Sequence, residues 1–232
     1  MSFLNKSIPV LMYHRLAERV AASSLVIPPE DFSRQIDWLD KKSFRLLSLD
    51  EVIQQGCRAP LWERSLALTF DDGFRDNYEQ AFPLLLTRGK TAALFVVVHW
   101  VGTKGFMDWK EIRKLADSGI TIGSHALTHR WLPDLKDPAE LHAEIFDSKK
   151  IIEDRIGKEI RHFCYPVGGV DQRVADEVEQ AGYRAAWVAG ARPTCRIRQR
   201  RLSLRRVKIG PSDGQIFRFS LKARGIKGLF SD

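Results

Sequence analysis

Short apolar runs alternate regularly with longer amphipathic stretches along this chain, and that alternation constrains its fold more than any other feature. Runs that read as buried strands lie at residues 8–13, 65–70, 91–98, 120–123, 162–165, 184–188 and 202–209, with a weaker one at 45–47. Helical patterns separate them. Pro29–Lys41 places Phe32, Ile36 and Leu39 on one face. Ser48 and Glu51 have the spacing of a capping box for a helix over 50–55 that stops at Gly56. Helices predicted over 108–118, 138–156 and 171–181 end at Gly119, Gly157 and Gly182, which suit a left-handed C-terminal cap. Parallel strands need a crossover of a dozen or so residues, usually a helix, so this order implies a parallel sheet. The expected fold is α/β: a distorted TIM-like (β/α) barrel with about seven parallel strands, in one domain over 1–232. No repeat or linker divides the chain.

With 44% hydrophobic residues the chain can bury a core, which argues against disorder. The three cysteines, Cys57, Cys164 and Cys195, show no Cys-x-x-Cys spacing. They exclude a disulfide framework or a cysteine-rich zinc module and fit a reducing compartment. The apolar run at 8–12 is too short for the core of a signal peptide, and nothing approaches the ~20 apolar residues of a membrane helix. The expected location is cytoplasmic, with room for a peripheral position at the inner membrane face.

The formal charge of +8 has one source. Between Arg192 and Lys208 stand eight of the 37 Lys and Arg residues and no acid, which leaves cations and anions equal in the rest of the chain. Residues 192–232 are therefore read as a basic C-terminal segment. Its two readings are a solvated charged face and a surface for anionic lipid headgroups or for the phosphates of a lipid- or nucleotide-linked sugar. The tail interleaves Phe217, Phe219, Leu221, Ile226, Leu229 and Phe230 with Arg218, Lys222, Arg224 and Lys227, and either lies on a membrane or packs on the barrel. Nucleic acid is not expected, because no nucleic-acid motif accompanies the charge.

In a parallel barrel the chemistry gathers at the C-terminal ends of the strands. Four predicted strands end in suitable residues: at His14, at Asp71-Asp72-Gly73, at His125 with His129 four residues on, and at Pro166-Val167-Gly168. Each has a plainer reading. Asp71-Asp72-Gly73 is also a helix-capping turn, His125 and His129 could be solvated loop residues, and His14 a satisfied half-buried histidine. Taken together, one Asp and two His can make a three-ligand metal site with an open position for water. The other Asp is then free to accept a proton.

Thr69-Phe70-Asp71-Asp72-Gly73, the His125-x-x-x-His129 pair after Gly123-Ser124, and Phe163-Cys164-Tyr165-Pro166-Val167-Gly168 resemble three ordered motifs of the polysaccharide deacetylase family (NodB-like, carbohydrate esterase family 4). The opening Pro9-Val10-Leu11-Met12-Tyr13-His14-Arg15, with Asp108-Trp109, resembles the branch whose catalytic histidine motif lies at the N-terminus, as in poly-N-acetylglucosamine deacetylases.

The resemblance implies a metal-dependent hydrolase that removes acetyl from an N-acetylhexosamine of a bacterial surface polysaccharide or its precursor. Asp72, His125 and His129 would hold a divalent metal, zinc first, with cobalt or nickel as substitutes. Asp71 would be the general base toward the attacking water, the backbone N–H of Val167 would stabilise the oxyanion, and His14 would protonate the departing amine. Four departures from the family pattern stand out. Cys164 occupies the position of an Arg that orients the base, Val167 replaces a Tyr, and Ala126 stands where Ser or Thr buttresses the first metal histidine. No histidine follows residue 162. The rival readings are a non-catalytic glycan-binding or scaffold module on the same fold, and a hydrolase of a non-sugar amide.

Overall fold

The computed structural model describes residues 5–18, 23–60, 63–189 and 200–226. In chain order the sheet strands are β1 (Val10–Tyr13), β2 (Arg45–Leu46), β3 (Ser65–Phe70), β4 (Ala93–Val96), β5 (Thr121–Ser124), β6 (His162–Cys164), β7 (Ala185–Val188), β8 (Leu204–Arg205) and β9 (Val207–Lys208). The helices are α1 (Pro29–Lys41), α2 (Leu49–Gln54), α3 (Phe82–Thr87), α4 (Trp109–Asp117), α5 (Pro138–His142), α6 (Ser148–Ile156), α7 (Gln172–Gln180) and α8 (Ile216–Ala223). The fold class is the expected one, α/β of the distorted TIM-like barrel type, with eight strands along the main path of the sheet and β2 off it, where about seven were predicted. The chain forms two compact units, residues 1–70, 76–93 and 207–232, and residues 71–75 and 94–206.

In the first unit β3 pairs in parallel with β1, from Val10↔Ala67 to Tyr13↔Phe70, and with the short β2. Strand β9 pairs with the other edge of β1. All six residues of β3 are buried, as a parallel strand covered on both faces requires. Helix α1 starts on Pro29 with Glu30 and Asp31 in its first turn, where the helix dipole favours acids, and buries Phe32, Ile36 and Leu39 as predicted. Burial of each contributes on the order of 2 kcal/mol. Phe32 packs edge-on to Tyr13 and Phe70, with ring centres 5.4 and 5.8 Å away. The Ser48–Glu51 capping box opens α2 as read. Helix α8 buries Phe219 against Trp38 at 5.9 Å, while Phe217 is 73% exposed. The described part of the basic tail is thus a packed helix. Leu229 and Phe230 lie outside the described residues, as do 192–199. No described helix is long and apolar enough to cross a membrane.

In the second unit the strand order is β4-β5-β6-β7-β8. Register is set by Phe163↔Ser124, Cys164↔Trp187 and Trp187↔Leu204. Gly123 is obligatory here, because a Cβ would stand 2.5 Å from the Phe95 ring and 2.8 Å from the His162 carbonyl. Helix α4 opens on an Asp108–Glu111 capping box, and α7 on the Asp171 side chain. Two expectations are corrected. The single helix over 138–156 is α5 and α6 joined by a π turn, Ala143–Asp147, which carries Glu144 into the interior. The single strand over 202–209 is β8 and β9, interrupted at Arg206, which is buried.

Candidate active site

Asp71, Asp72 and Gly73 follow β3 in a tight turn. Asp72 and Gly73 both take left-handed backbone, φ 73° and 85°; aspartate is among the few side chains that tolerate this region. The turn is tied down by Met107 N–H donating to the Gly73 carbonyl and Arg75 N–H to the Gly105 carbonyl, both at 2.9 Å. Phe74 stacks on Phe106 beside it. His125 follows β5, its N–H donating to the Val96 carbonyl at 2.8 Å, and His129 closes the same loop at φ 66°.

These elements bring Asp72, His125 and His129 together. Asp72 Oδ1 lies 3.5 Å from His125 Nε2 and 3.6 Å from His129 Nε2. The Nδ1 of His125 is 2.7 Å from the Cys164 carbonyl, which can only accept, so the ring proton sits on Nδ1 and the lone pair of Nε2 points inward. Burial pushes the His125 pKa down to about 3 and lowers that of His129 as well, so both rings are neutral near pH 7. Asp72 Oδ1 is buried without a hydrogen-bond partner. Burial, and then the charge of Asp71, raise the Asp72 pKa to about 7. A carboxylate oxygen facing imidazole lone pairs needs a proton or a cation between them. Two imidazoles and one carboxylate suit zinc and similar divalent metals, so the residues fit the implied metal. Trp100 stacks on the His129 ring at 4.9 Å.

Asp71 is held by a residue that the sequence reading placed elsewhere. Arg206 donates from both terminal nitrogens to the two Asp71 oxygens at 2.7 Å, and the same guanidinium stands 2.9 Å from Cys164 Sγ. Both partners of this ion pair are almost fully buried. A guanidinium thus reaches this place from the break between β8 and β9, and Cys164 lines the space that it fills. Arg161, on the same segment as Cys164, is half-buried and paired with Glu159. Asp71, His125 and Cys164 also lie close enough to share a cation. Arg206 already occupies Asp71, however, and burial pushes the Cys164 thiol well above its ordinary pKa, so it stays protonated.

The basic segment is correspondingly less uniform than its composition suggested. Arg206 is interior, and Arg201 donates to the carbonyls of Tyr183 and Arg184 and pairs with Glu179. Phase was the available signal for Arg206, which stands at even spacing from Leu202 and Leu204 on the inward side of an alternating stretch.

Val167 lies on the turn Pro166–Gly168 in the second unit with φ 55°, a strained conformation for a β-branched residue, and its side chain is exposed. His14 belongs to the first unit. It follows Tyr13, which pairs with Phe70, and is half-buried, with its carbonyl accepting from Asn77 Nδ2 at 2.8 Å. His99 is exposed on the turn Val98–Trp100.

YxkH of Bacillus subtilis (strain 168), which carries a provisional polysaccharide deacetylase name, is 28% identical over 88% of this chain and 72% of its own. The poly-beta-1,6-N-acetyl-D-glucosamine N-deacetylase of Staphylococcus aureus (strain MRSA252) is 23% identical over 68% of this chain, which spans 59% of that protein. The solved structure of the Streptococcus pyogenes deacetylase PplD in complex with acetate shares the fold, with a TM-score of 0.79 at 23% identity over 90% of this chain and 94% of that one. The sequence profile described as Polysaccharide deacetylase matches residues 59–186, which include both aspartates, His125, His129 and Cys164 but neither His14 nor Arg206. Since that match covers more than half of its length, the chain belongs to the polysaccharide deacetylase family.

Proposed function

We propose that this protein hydrolyses the acetamide of an N-acetylhexosamine within a glycan, with a divalent cation held by Asp72, His125 and His129. One observation carries the reading: an unsatisfied, buried Asp72 Oδ1 faces two imidazole Nε2 atoms, beside a second carboxylate clamped by Arg206. The two acids therefore have different tasks. A cation at the first would supply Lewis-acid polarisation of water and of the acetyl carbonyl; zinc matches the donor set, and cobalt or nickel can replace it.

Asp71 takes the proton from the attacking water as its oxygen adds to the acetyl carbon. The Arg206 guanidinium holds the Asp71 carboxylate in one orientation. The backbone N–H of Val167 donates to the carbonyl oxygen as that oxygen gains charge. His14 gives a proton to the sugar nitrogen as the C–N bond breaks, so that acetate and a free amino sugar leave.

The name of the staphylococcal relative makes β-1,6-linked N-acetylglucosamine oligomers the first substrate to assay. A cytoplasmic site of action on a lipid- or nucleotide-linked precursor of a bacterial surface polysaccharide, with the basic segment toward an anionic membrane, completes the proposal. The test is acetate release from these oligomers with and without chelator, for the wild type, Asp71→Asn and His14→Ala. Chelation should abolish release, and each variant should lose about 10²- to 10⁴-fold in kcat. Release unchanged by chelator and by Asp71→Asn overturns the reading. Metal binding without turnover of any N-acetylated glycan would leave a glycan-binding module, and turnover confined to a non-sugar acetamide would change the substrate class.

A further inference from the structure

The loop from His125 to His129 is strained at both ends of its middle portion. Ala126 and His129 both have φ 66°, and neither is glycine. Each such residue costs on the order of 1–3 kcal/mol and persists only where its surroundings hold it. The Ser124 hydroxyl accepts from Ala126 N–H at 3.1 Å, and β4 leads into Val98 and His99, whose N–H groups donate to the carbonyls of Ala126 and Leu127. The N–H and O–H donors of Leu127 and Thr128 converge on one side chain. One oxygen of Glu144 accepts the N–H of Leu127 and the N–H of Thr128, both at 2.9 Å, and the other accepts the Thr128 hydroxyl.

Glu144 is 3% exposed, which is rare for a glutamate, and its hydrogen bonds among the described residues all go to this loop. It arrives there from the π turn Ala143–Asp147, where one extra residue per turn changes the direction in which side chains leave the helix. Such insertions in α-helices are frequent at functional sites.

We propose that Glu144 is a positioning residue for the cation site: by gripping Leu127 and Thr128 it holds the strained backbone that presents His129 beside Asp72. It acts through His129 and touches neither cation nor substrate. The proposal rests on the reading of Asp72, His125 and His129 as cation ligands.

The test is zinc affinity of the metal-stripped protein, read by competition with a chromophoric chelator. Glu144→Gln keeps an oxygen on the Leu127 and Thr128 N–H groups and offers its NH₂ to the Thr128 hydroxyl, so three charge-assisted bonds become neutral ones of about half the strength, and zinc should bind several-fold more weakly. Thr128→Val removes one of the three bonds and should weaken zinc several-fold, with little change in the melting temperature of the stripped protein. Val52→Ala, in the buried face of α2, lowers stability outside the unit that holds the loop and should keep wild-type affinity. Wild-type zinc affinity in both Glu144→Gln and Thr128→Val overturns the proposal. If Glu144→Gln does not fold, wild-type affinity in Thr128→Val alone overturns it. A wild-type protein that binds no zinc overturns the site reading itself, whereas equal affinity in wild type and variants overturns only the role of Glu144.

Discussion

Arg206 offers the sharpest test of how the site is built. Its guanidinium makes two 2.7 Å bonds to Asp71 and stands 2.9 Å from Cys164 Sγ, with side-chain exposures of 0% for Arg206 and 2% for Asp71. Removing one member of a buried ion pair leaves the other charge without a partner or water, at a cost of about 3–5 kcal/mol. For Arg206→Met, which keeps much of the volume, that corresponds to a fall in melting temperature of roughly 6–20 °C in a domain of this size. Asp71→Asn should also destabilise, because it strands the guanidinium. The double variant removes both charges and should cost less than the two single variants together. A coupling energy of about 2–4 kcal/mol is expected from urea melts of the metal-stripped proteins, a condition that keeps cation linkage out of the cycle. Turnover should follow: Arg206→Met loses about 10²-fold in kcat because the base is no longer aimed, and Arg206→Lys, which keeps the charge but not the two-pronged bond, falls between. A cycle additive within about 0.5 kcal/mol, or Arg206→Met turnover within threefold of wild type, would refute the reasoning.

Three further outcomes follow from the geometry. The Asp72 pKa, raised to about 7, means that the cation-free carboxyl gains a proton as the pH falls through that value, while His125, at about 3, stays neutral. Zinc must displace this proton, so affinity falls toward tenfold per pH unit below about 7; calorimetry in buffers of different ionisation heat should find about one proton released at about pH 6 and almost none at about pH 8. Gly123→Ala should cost about 1–3 kcal/mol in urea melts, because its Cβ would meet Phe95 at 2.5 Å and the His162 carbonyl at 2.8 Å; a loss under about 0.5 kcal/mol would contradict that crowding. Val167→Gly removes an exposed side chain from strained backbone, so stability should hold or rise slightly and kcat should stay within about threefold; a large loss of turnover would show that the valine side chain itself is needed.

The grouping of Asp72, His125 and His129 was legible because strand ends are marked by composition: apolar runs stop at Asp71-Asp72 and at His125, and parallel topology collects such ends on one side. Helix boundaries were legible wherever a side chain caps them, as at Ser48, Asp108 and Asp171. Arg206 escaped because it sits among eight cations, a setting that reads as a solvated face and outweighs its even spacing from Leu202 and Leu204. Glu144 escaped for a related reason. Residues 138–156 carry a continuous helical pattern, and one inserted residue that rotates a glutamate inward leaves no trace in apolar spacing. Both missed residues are charged groups whose burial is decided by a distant partner, and pairing of that kind lies outside local pattern.

The central claim, that Asp72, His125 and His129 hold the cation while Asp71 does the proton chemistry, is tested most directly by titrating zinc into metal-stripped protein while following acetate release from β-1,6-linked N-acetylglucosamine oligomers. Release should rise from background and saturate at one equivalent in the wild type, and Asp71→Asn should bind the same equivalent without releasing acetate. Full release from stripped protein in chelator, or wild-type release from Asp71→Asn, would contradict the account.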